Sequence, residues 1–209
     1  MSDRTHRWSP PPGTESLFGP GGPFALAEED VFGVPVTVFA RRLPNLRAQL
    51  VAAAERGPDV PYLVFADRDL TLTFADVVAS TARVAAHLAG LGVGAGDVVG
   101  FAAANVPAHA LGWWATVCSG AVVSSLNGWW TPSELAYGIE LSGPKVIVAD
   151  APRLDRLREV GVPDGVVLLA DTDLDHLIGP ARPDDPALPS APIAEDDPAV
   201  LLFTSGTTG

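Results

Sequence analysis

The residues between Asp97 and Glu134 include no aspartate, glutamate, lysine or arginine. An uncharged stretch of this length is buried, either in the core of a protein or in a membrane. A membrane-spanning helix needs about 20 predominantly apolar residues, but Asn105, Pro107 and Asn127 interrupt this stretch, as do several glycines and serines. The stretch therefore predicts a buried strand–helix–strand unit and no transmembrane segment.

Short apolar runs alternate with helical patterns from residue 46 onward. Near-continuous apolar strands that alternate with helices are typical of a parallel sheet covered on both faces. The sequence thus predicts an α/β fold with a mostly parallel sheet layered with helices. The predicted helices cover 46–56, 74–88, 108–118, 131–143 and 153–160. The predicted strands cover 62–66, 70–72, 98–102, 121–124, 145–149, 166–170 and 200–203.

The segment 74–88 has the clearest helical period. Its apolar residues fall on one stripe, and Thr73 can cap the first turn together with Asp76. The opposite face carries Asp76, Ser80, Arg83 and His87. This pattern predicts a helix with one face in the core and a polar face turned away from it.

Glycine and proline number 21 and 20 residues and are concentrated in two clusters, at 9–23 and 180–198. Such clusters predict irregular structure. We therefore expect an irregular Pro/Gly-rich arm over 1–45 and an α/β unit over 46–209. Within that unit, a Pro/Asp-rich linker over 180–198 is expected to lead to the last strand.

The chain of 209 residues has a formal net charge of −12 and one cysteine. The charge argues against nucleic acid and against anionic lipid as partners, but not against ATP, which local donors can hold. The N-terminal residues lack the apolar core of a secretory signal, and a lone cysteine excludes an internal disulfide. These features favour a cytoplasmic protein in which Cys118 is a small buried residue rather than a nucleophile.

Residues 201–209 combine a short apolar strand with a loop of hydroxyls and glycines. Glycines let successive backbone N–H groups point into one concavity, and Ser and Thr hydroxyls add neutral donors, which suits a polyphosphate. The loop is not a Walker A motif, because no G-x-x-x-x-G-K-[ST] occurs in the chain. The residues alone also allow a flexible polar tail.

The segment Leu-Phe-Thr-Ser-Gly-Thr-Thr-Gly at 202–209 resembles the phosphate loop of adenylate-forming enzymes, which include acyl-CoA synthetases, luciferases and peptide-synthetase adenylation domains. Two upstream stretches fit the same family in order and spacing. Leu-Thr-Phe-Ala-Asp-Val at 72–77 is similar to its early Leu-Thr-Tyr-x-Glu-Leu segment, and 119–135 is similar to A-G-A-x-x-x-x-L-N followed by T-x-x-E-L. The Pro/Gly-rich arm ahead of the helix at residue 46 and the segment Leu-Asn-Gly-Trp-Trp at 126–130 are most similar to bacterial fatty-acid or related acyl-CoA synthetases.

The resemblance implies a function. Such enzymes activate a carboxylic acid, here a fatty acid, with ATP and Mg²⁺ and then form a thioester with coenzyme A. Two alternatives remain open, namely transfer to a carrier-protein thiol and a non-catalytic α/β module that binds nucleotide weakly. By family position, the residues that hold the β- and γ-phosphates are Thr204, Ser205, Gly206, Thr207, Thr208 and Gly209.

The family pattern extends beyond this sequence. The phosphate-loop lysine, the Mg²⁺-binding acidic residue and the small C-terminal domain have no counterpart here, so the sequence is expected to be the N-terminal part of a longer enzyme, incomplete in its large domain. No residue present is expected to act as a general acid, base or nucleophile, and no metal ligands are assigned. These 209 residues alone are expected to be inactive and prone to aggregate. The oligomeric state is left open.

Three further motifs are interpreted as structural. The glycines at 90–95 follow a predicted helix and precede a strand, the reverse of a dinucleotide-binding order. The acidic residues at 171–175 lack the glycine and glutamate of a calcium loop and predict a solvated turn. Trp129 and Trp130 stand where relatives carry a basic pattern, and we expect them to pack on the helix that follows; an apolar wall or an interface patch is the alternative.

Overall fold

The structure is a computed structural model that describes residues 10–204. The chain divides into two compact units between Pro44 and Asn45. Each unit is described by itself below.

The first unit contains a β-hairpin where the composition predicts an irregular arm. A helical turn, α1 (Glu15–Phe18), is followed by β1 (Leu26–Val31) and β2 (Val34–Phe39), which pair antiparallel. Phe32 and Gly33 form the turn with φ angles of 52° and 81°, as a two-residue hairpin turn of this type requires. The expectation of an irregular arm is therefore wrong for residues 26–39, since apolar residues at alternate positions of β2 form a strand that the nearby glycines and prolines do not interrupt.

The second unit follows the predicted alternation of strands and helices. Its helices are α2 (Leu46–Arg56), α3 (Phe74–Gly90), α4 (Pro107–Cys118), α5 (Pro132–Ser142) and α6 (Ala151–Val160). Its strands are β3 (Pro61–Phe65), β4 (Leu70–Thr73), β5 (Val98–Ala102), β6 (Val122–Ser125), β7 (Val146–Ala149), β8 (Val167–Ala170) and β9 (Val200–Leu201). A 3₁₀ helix, Asp171–Leu177, follows β8.

Five strands form one parallel sheet in the order β8-β7-β5-β6-β9. The predicted α/β architecture is therefore confirmed, and the uncharged stretch forms β5, α4 and β6 at the centre of the sheet. β3 and β4 form a separate antiparallel pair. Among residues 10–204, no helix is long and apolar enough to cross a bilayer.

Apolar side chains cover both faces of the sheet, as parallel strands require. On one face, Val99, Phe101 and Val148 pack with residues of α3 and α4. On the other face, Ile147 and Ala149 pack with residues of α5 and α6. Because successive residues of a strand point to opposite faces, β5 and β7 alternate between the two clusters along their length.

The predicted polar face of α3 is buried at two positions. Thr73 caps the helix as expected: its hydroxyl accepts from the backbone of Asp76, whose carboxylate accepts from the Thr73 backbone in return. Ser80 and Arg83 are only 0% and 7% exposed. They contact the backbone at the end of the 3₁₀ helix and just after it, so these two residues meet other polar groups of the protein rather than solvent.

The Pro/Asp-rich segment 180–198 has no regular secondary structure, but it is fixed to the unit by side chains of α2 and α3. It leads to β9, which spans two residues where the sequence predicts a strand over 200–203. The pairs Val123–Val200 and Ser124–Leu201 connect it to β6.

The contact between α4 and β5 predicts an unequal response to two Gly→Ala changes. A Cβ added at Gly112 would lie 2.7 Å from Cε1 of the buried Phe101 ring, whereas Gly90, at the end of α3, has nothing within 4 Å. We expect Gly112→Ala to lower the free energy of unfolding by about 1–2 kcal/mol, because overpacking outweighs the helix propensity gained.

Gly90→Ala is the matched control, expected to be neutral or stabilising by up to about 1 kcal/mol. Denaturant unfolding of both variants measures the difference. An equal effect of the two changes would contradict the close packing of α4 on Phe101.

Candidate functional site

The order of the strands creates a topological switch point between β5 and β7 at the carboxyl edge of the sheet. The chain leaves β5 through α4 to reach β6 on one side, and it leaves β7 through α6 to reach β8 on the other side. α4 and α6 lie on opposite faces of the sheet. In open α/β sheets, ligands bind outside the carboxyl ends of the strands where the connections diverge in this way.

Asp150 joins the two diverging connections. It follows β7 directly, is 8% exposed, and accepts a hydrogen bond of 2.8 Å from the backbone N–H of Ala104, which follows β5. The same carboxylate pairs with Arg153 in the first turn of α6 and caps that helix. The positions of the two strand ends are therefore fixed relative to each other.

A cavity of about 510 Å³ opens at the carboxyl ends of β6 and β9. It is lined by both polar and aromatic side chains. They are Ser125, Asn127, Trp129, Trp130, Glu134, Tyr137, Phe203 and Thr204. All of them lie on the two strand ends, on the loop after β6, or on the first turns of α5.

The two tryptophans of the loop behave differently. Trp130 packs as predicted: its ring meets Phe203 edge to face at 4.9 Å and lies so close to α5 that a Cβ on Gly138 would be 2.5 Å from Cζ3. Trp129 is 89% exposed, so the packing interpretation is wrong for this residue. The exposed indole and Tyr137 leave one wall of the cavity aromatic and open to solvent.

Arginines of α6 hold the loop that carries these tryptophans. Nη1 of Arg156 donates to the carbonyl oxygens of Gly128 and Trp130 at 3.1 and 3.2 Å. The Arg153 guanidinium lies against Gly128, where a Cβ would be 2.3 Å from Nε. A side chain at position 128 would therefore displace the Arg153 guanidinium from its present position.

The end of the same loop is fixed by the start of α5. The Thr131 hydroxyl and the Glu134 carboxylate form the predicted capping box. Hydrogen bonding from the Thr131 backbone holds the pKa of Glu134 below its ordinary value. Glu134 is thus a carboxylate at neutral pH, with its oxygens already engaged at the helix start.

Among the described residues that line the cavity, Glu134 is the only one with a formal charge. An anionic ligand at this edge would therefore depend on neutral donors. Thr204, the first of the predicted phosphate-binding residues, lines the cavity. The other predicted residues, Ser205, Gly206, Thr207, Thr208 and Gly209, lie outside the described residues. Ser125, Asn127 and Tyr137 were not predicted from the sequence as lining residues. Asn127 belongs to the family-like stretch 119–135, but that resemblance assigned it no role, and Ser125 and Tyr137 match no specified letter of the motif.

The signals set aside in the sequence have structural roles. Burial raises the pKa of Cys118 to about 12, so its thiol is protonated and unsuited to attack. The glycine-rich segment 90–95 begins at the last residue of α3 and leads toward β5. Asp171 is 8% exposed, which makes the description of the acidic segment as a solvated turn wrong at that position. Within residues 10–204, no cluster of three or more potential metal ligands occurs.

A second cavity, of about 480 Å³, lies between β3 and α4 and is mainly apolar. Tyr62, Phe65, His109 and Trp113 are among its lining residues. His109 is half-buried and hydrogen-bonded to the carbonyl oxygen of Ala104 at 3.2 Å. We place the candidate site at the first cavity, because only that one is lined by a residue of the predicted phosphate loop.

Comparison with known proteins gives consistent results. The family model described as AMP-binding enzyme matches residues 50–209. The chain is 36% identical to a medium/long-chain-fatty-acid–CoA ligase, FadD6, of Mycobacterium tuberculosis, over 90% of the chain and 32% of that protein. It is 33% identical to 4-coumarate–CoA ligase 2 of Oryza sativa subsp. japonica, over 88% of the chain and 37% of that protein.

A solved structure, the inhibitor-bound N-terminal domain of FACL13 from Mycobacterium tuberculosis, is similar with a TM-score of 0.69 and 26% identity. The similarity covers 80% of the chain and 42% of that structure. The chain thus spans about a third of the length of the curated relatives it matches.

The hydrogen bonds from Arg156 predict that this residue stabilises the tryptophan loop. Arg156→Leu removes the donor to two loop carbonyls, and we expect the free energy of unfolding to fall by about 1–3 kcal/mol. Hydrogen exchange of the amides in 126–131 is expected to accelerate, because the loop loses its attachment to α6.

Arg158→Leu is the matched control. Arg158 lies on the same helix with its side chain 63% exposed and pairs only at the surface, with Asp155, so its loss is expected to cost less than about 1 kcal/mol. Unchanged exchange in 126–131 after Arg156→Leu would show that the two hydrogen bonds do not hold the loop.

Proposed function

The chain belongs to the AMP-binding enzyme family, and from that premise we propose that it supplies the phosphate-binding edge of an enzyme that converts a carboxylic acid into its coenzyme A thioester. A fatty acid is the proposed substrate, in keeping with the fatty-acid–CoA ligase that the chain resembles at 36% identity. ATP, Mg²⁺ and coenzyme A are the proposed co-substrates, and the cytoplasm is the proposed location.

The reaction begins with a poor acyl donor, since a carboxylate has no good leaving group. One carboxylate oxygen attacks the α-phosphorus of ATP, the bond to the bridging oxygen breaks, and pyrophosphate leaves. The thiol sulfur of coenzyme A then attacks the acyl carbon of the acyl-adenylate, AMP departs, and the thiol proton passes to solvent. Donors directed at the departing pyrophosphate stabilise the charge that develops there.

The position of Thr204 is the observation that carries the proposal. It lines a cavity at the carboxyl edge of a parallel sheet, at the end of the strand that leads into the hydroxyl- and glycine-rich loop. We propose that Thr204 and the residues 205–209 bind the β- and γ-phosphates through hydroxyl and backbone N–H groups. Residues 46–209 would then belong to the adenylation domain, with 180–198 as the connection to the loop.

The test is acid-dependent exchange of pyrophosphate into ATP, measured in the full-length natural protein. We expect pyrophosphate exchange when fatty acids are supplied. Replacing both Thr207 and Thr208 by valine is expected to lower kcat/KM for this exchange by about 10–100-fold, because two donors to the phosphates are removed. Thr172→Val, on the exposed surface of the 3₁₀ helix, is the control and is expected to leave exchange unchanged.

Exchange without any carboxylic acid, or equal exchange in the double variant, would contradict the proposed function. The identity of the acceptor is tested in the same protein by supplying coenzyme A or an acyl-carrier protein. Thioester formation with the carrier protein alone would replace coenzyme A in the proposal.

A further inference from the structure

We propose that Ser80 and Arg83 are positioning residues for the phosphate loop. They anchor residues 177–185, where the connection that leads to β9 begins, to α3, and they thereby hold β9, from which the loop departs, beside β6. This inference rests on the proposed function for its kinetic consequence. The anchoring itself can be measured independently of that function.

The connection has fewer backbone donors than an ordinary segment of its length. Six prolines occupy 180–198, and proline has no backbone N–H. The segment has no regular secondary structure, so its carbonyl oxygens lack the ladder partners of a strand or helix and can be satisfied by side-chain donors. Arginine suits this task, because its guanidinium directs five donors in a fixed fork.

Arg83 meets three acceptors of the connection at once. Its Nε donates to the carbonyl oxygen of Leu177 at 2.7 Å, and Nη2 donates to that of Gly179 at 2.9 Å. Nη1 pairs with Asp185, and the two side chains are only 7% and 12% exposed. The hydrogen bond from Arg83 lowers the pKa of Asp185, so the pair remains ionic at neutral pH.

Ser80 closes the same network. Its hydroxyl donates to the carbonyl oxygen of Gly179 at 3.0 Å and accepts from the backbone N–H of Gly179 at 3.1 Å. Gly179 has a φ of 150°, which L side chains rarely adopt. The connection therefore makes its turn at the one residue that α3 holds by both backbone groups.

Residues at the start of α2 and its N-cap continue the attachment toward β9. Arg47 donates to the carbonyl oxygens of Pro189 and Ala191 at 2.5 and 2.7 Å, and Asn45 donates to that of Ile193 at 3.1 Å. The connection is thus fixed along its length before the chain enters the sheet.

β9 depends on this attachment because its own pairing is short. It forms two residue pairs with β6, preceded by one hydrogen bond from Val123 to the carbonyl oxygen of Ala199. So short a strand cannot set its own register firmly, since each ladder bond contributes only about 1 kcal/mol. The attachment of the connection to α3 and α2 fixes where β9 ends, and Thr204 follows three residues after Leu201.

The experiment compares Ser80→Ala and Arg83→Lys in the full-length natural protein, with Arg158→Lys as a control on the exposed surface of α6. Lysine keeps the charge of Arg83 but cannot reach three acceptors at once. Hydrogen exchange of peptides that cover 177–204 is expected to accelerate about tenfold in both test variants, while peptides that cover 146–160 stay unchanged.

Acid-dependent pyrophosphate exchange supplies the kinetic measurement. We expect kcat/KM for ATP to fall about tenfold, because small displacements of catalytic donors are costly, and KM for the acid to stay within about twofold. A merely structural role would lower the melting temperature and the amount of folded protein, but it would not lower kcat/KM for ATP while leaving KM for the acid unchanged. Ser80→Ala keeps the test available if Arg83→Lys fails to fold.

Two results would overturn the inference. One is unchanged hydrogen exchange of residues 177–204 in a folded variant. The other is faster hydrogen exchange of these residues with unaltered kcat/KM for ATP. If the wild-type protein shows no acid-dependent exchange of pyrophosphate into ATP, the proposed function fails. Hydrogen exchange of peptides that cover 198–209 in the variants then decides whether Ser80 and Arg83 fix the loop.

Discussion

The parallel pairing of β5 with β6 on one side and with β7 on the other is the constraint on which the rest of the second unit depends. It forces each strand connection to cross over a face of the sheet, so both faces are covered by helices and the strands must be apolar on both sides. It also brings the carboxyl ends of these strands to one edge. The polar groups at that edge, from Asp150 to Thr204, follow strand ends that are far apart in sequence.

The second constraint is the attachment of irregular segments to packed helices by arginine side chains. The loop after β6 is held by Arg156 through backbone carbonyls. The connection before β9 is held by Arg83 and Arg47 in the same manner. In both cases a guanidinium from a packed helix satisfies carbonyls that have no ladder partner, which keeps the strand ends and the loops in fixed positions without regular structure.

Local chemistry explains what could be predicted from the sequence. Thr73 with Asp76 and Thr131 with Glu134 are capping pairs whose partners lie three residues apart, so the helix starts were predictable. The roles of Ser80 and Arg83 depend on a segment about 100 residues away, and helical periodicity alone placed them on a polar face. The hairpin at 26–39 was missed because its neighbours are rich in proline and glycine. Trp129 and Trp130 are adjacent and chemically identical, and the tertiary contacts of Trp130 with Phe203 and Gly138 separate their roles.

The central proposal is that residues 204–209 bind a polyphosphate. Hydrogen exchange of the full-length natural protein, with and without ATP and Mg²⁺, tests it most directly through the peptides that cover 198–209. Slower exchange in these peptides with nucleotide, and unchanged exchange in the peptides of α2, is the predicted result. Saturable nucleotide binding that leaves 198–209 unprotected would contradict the claim.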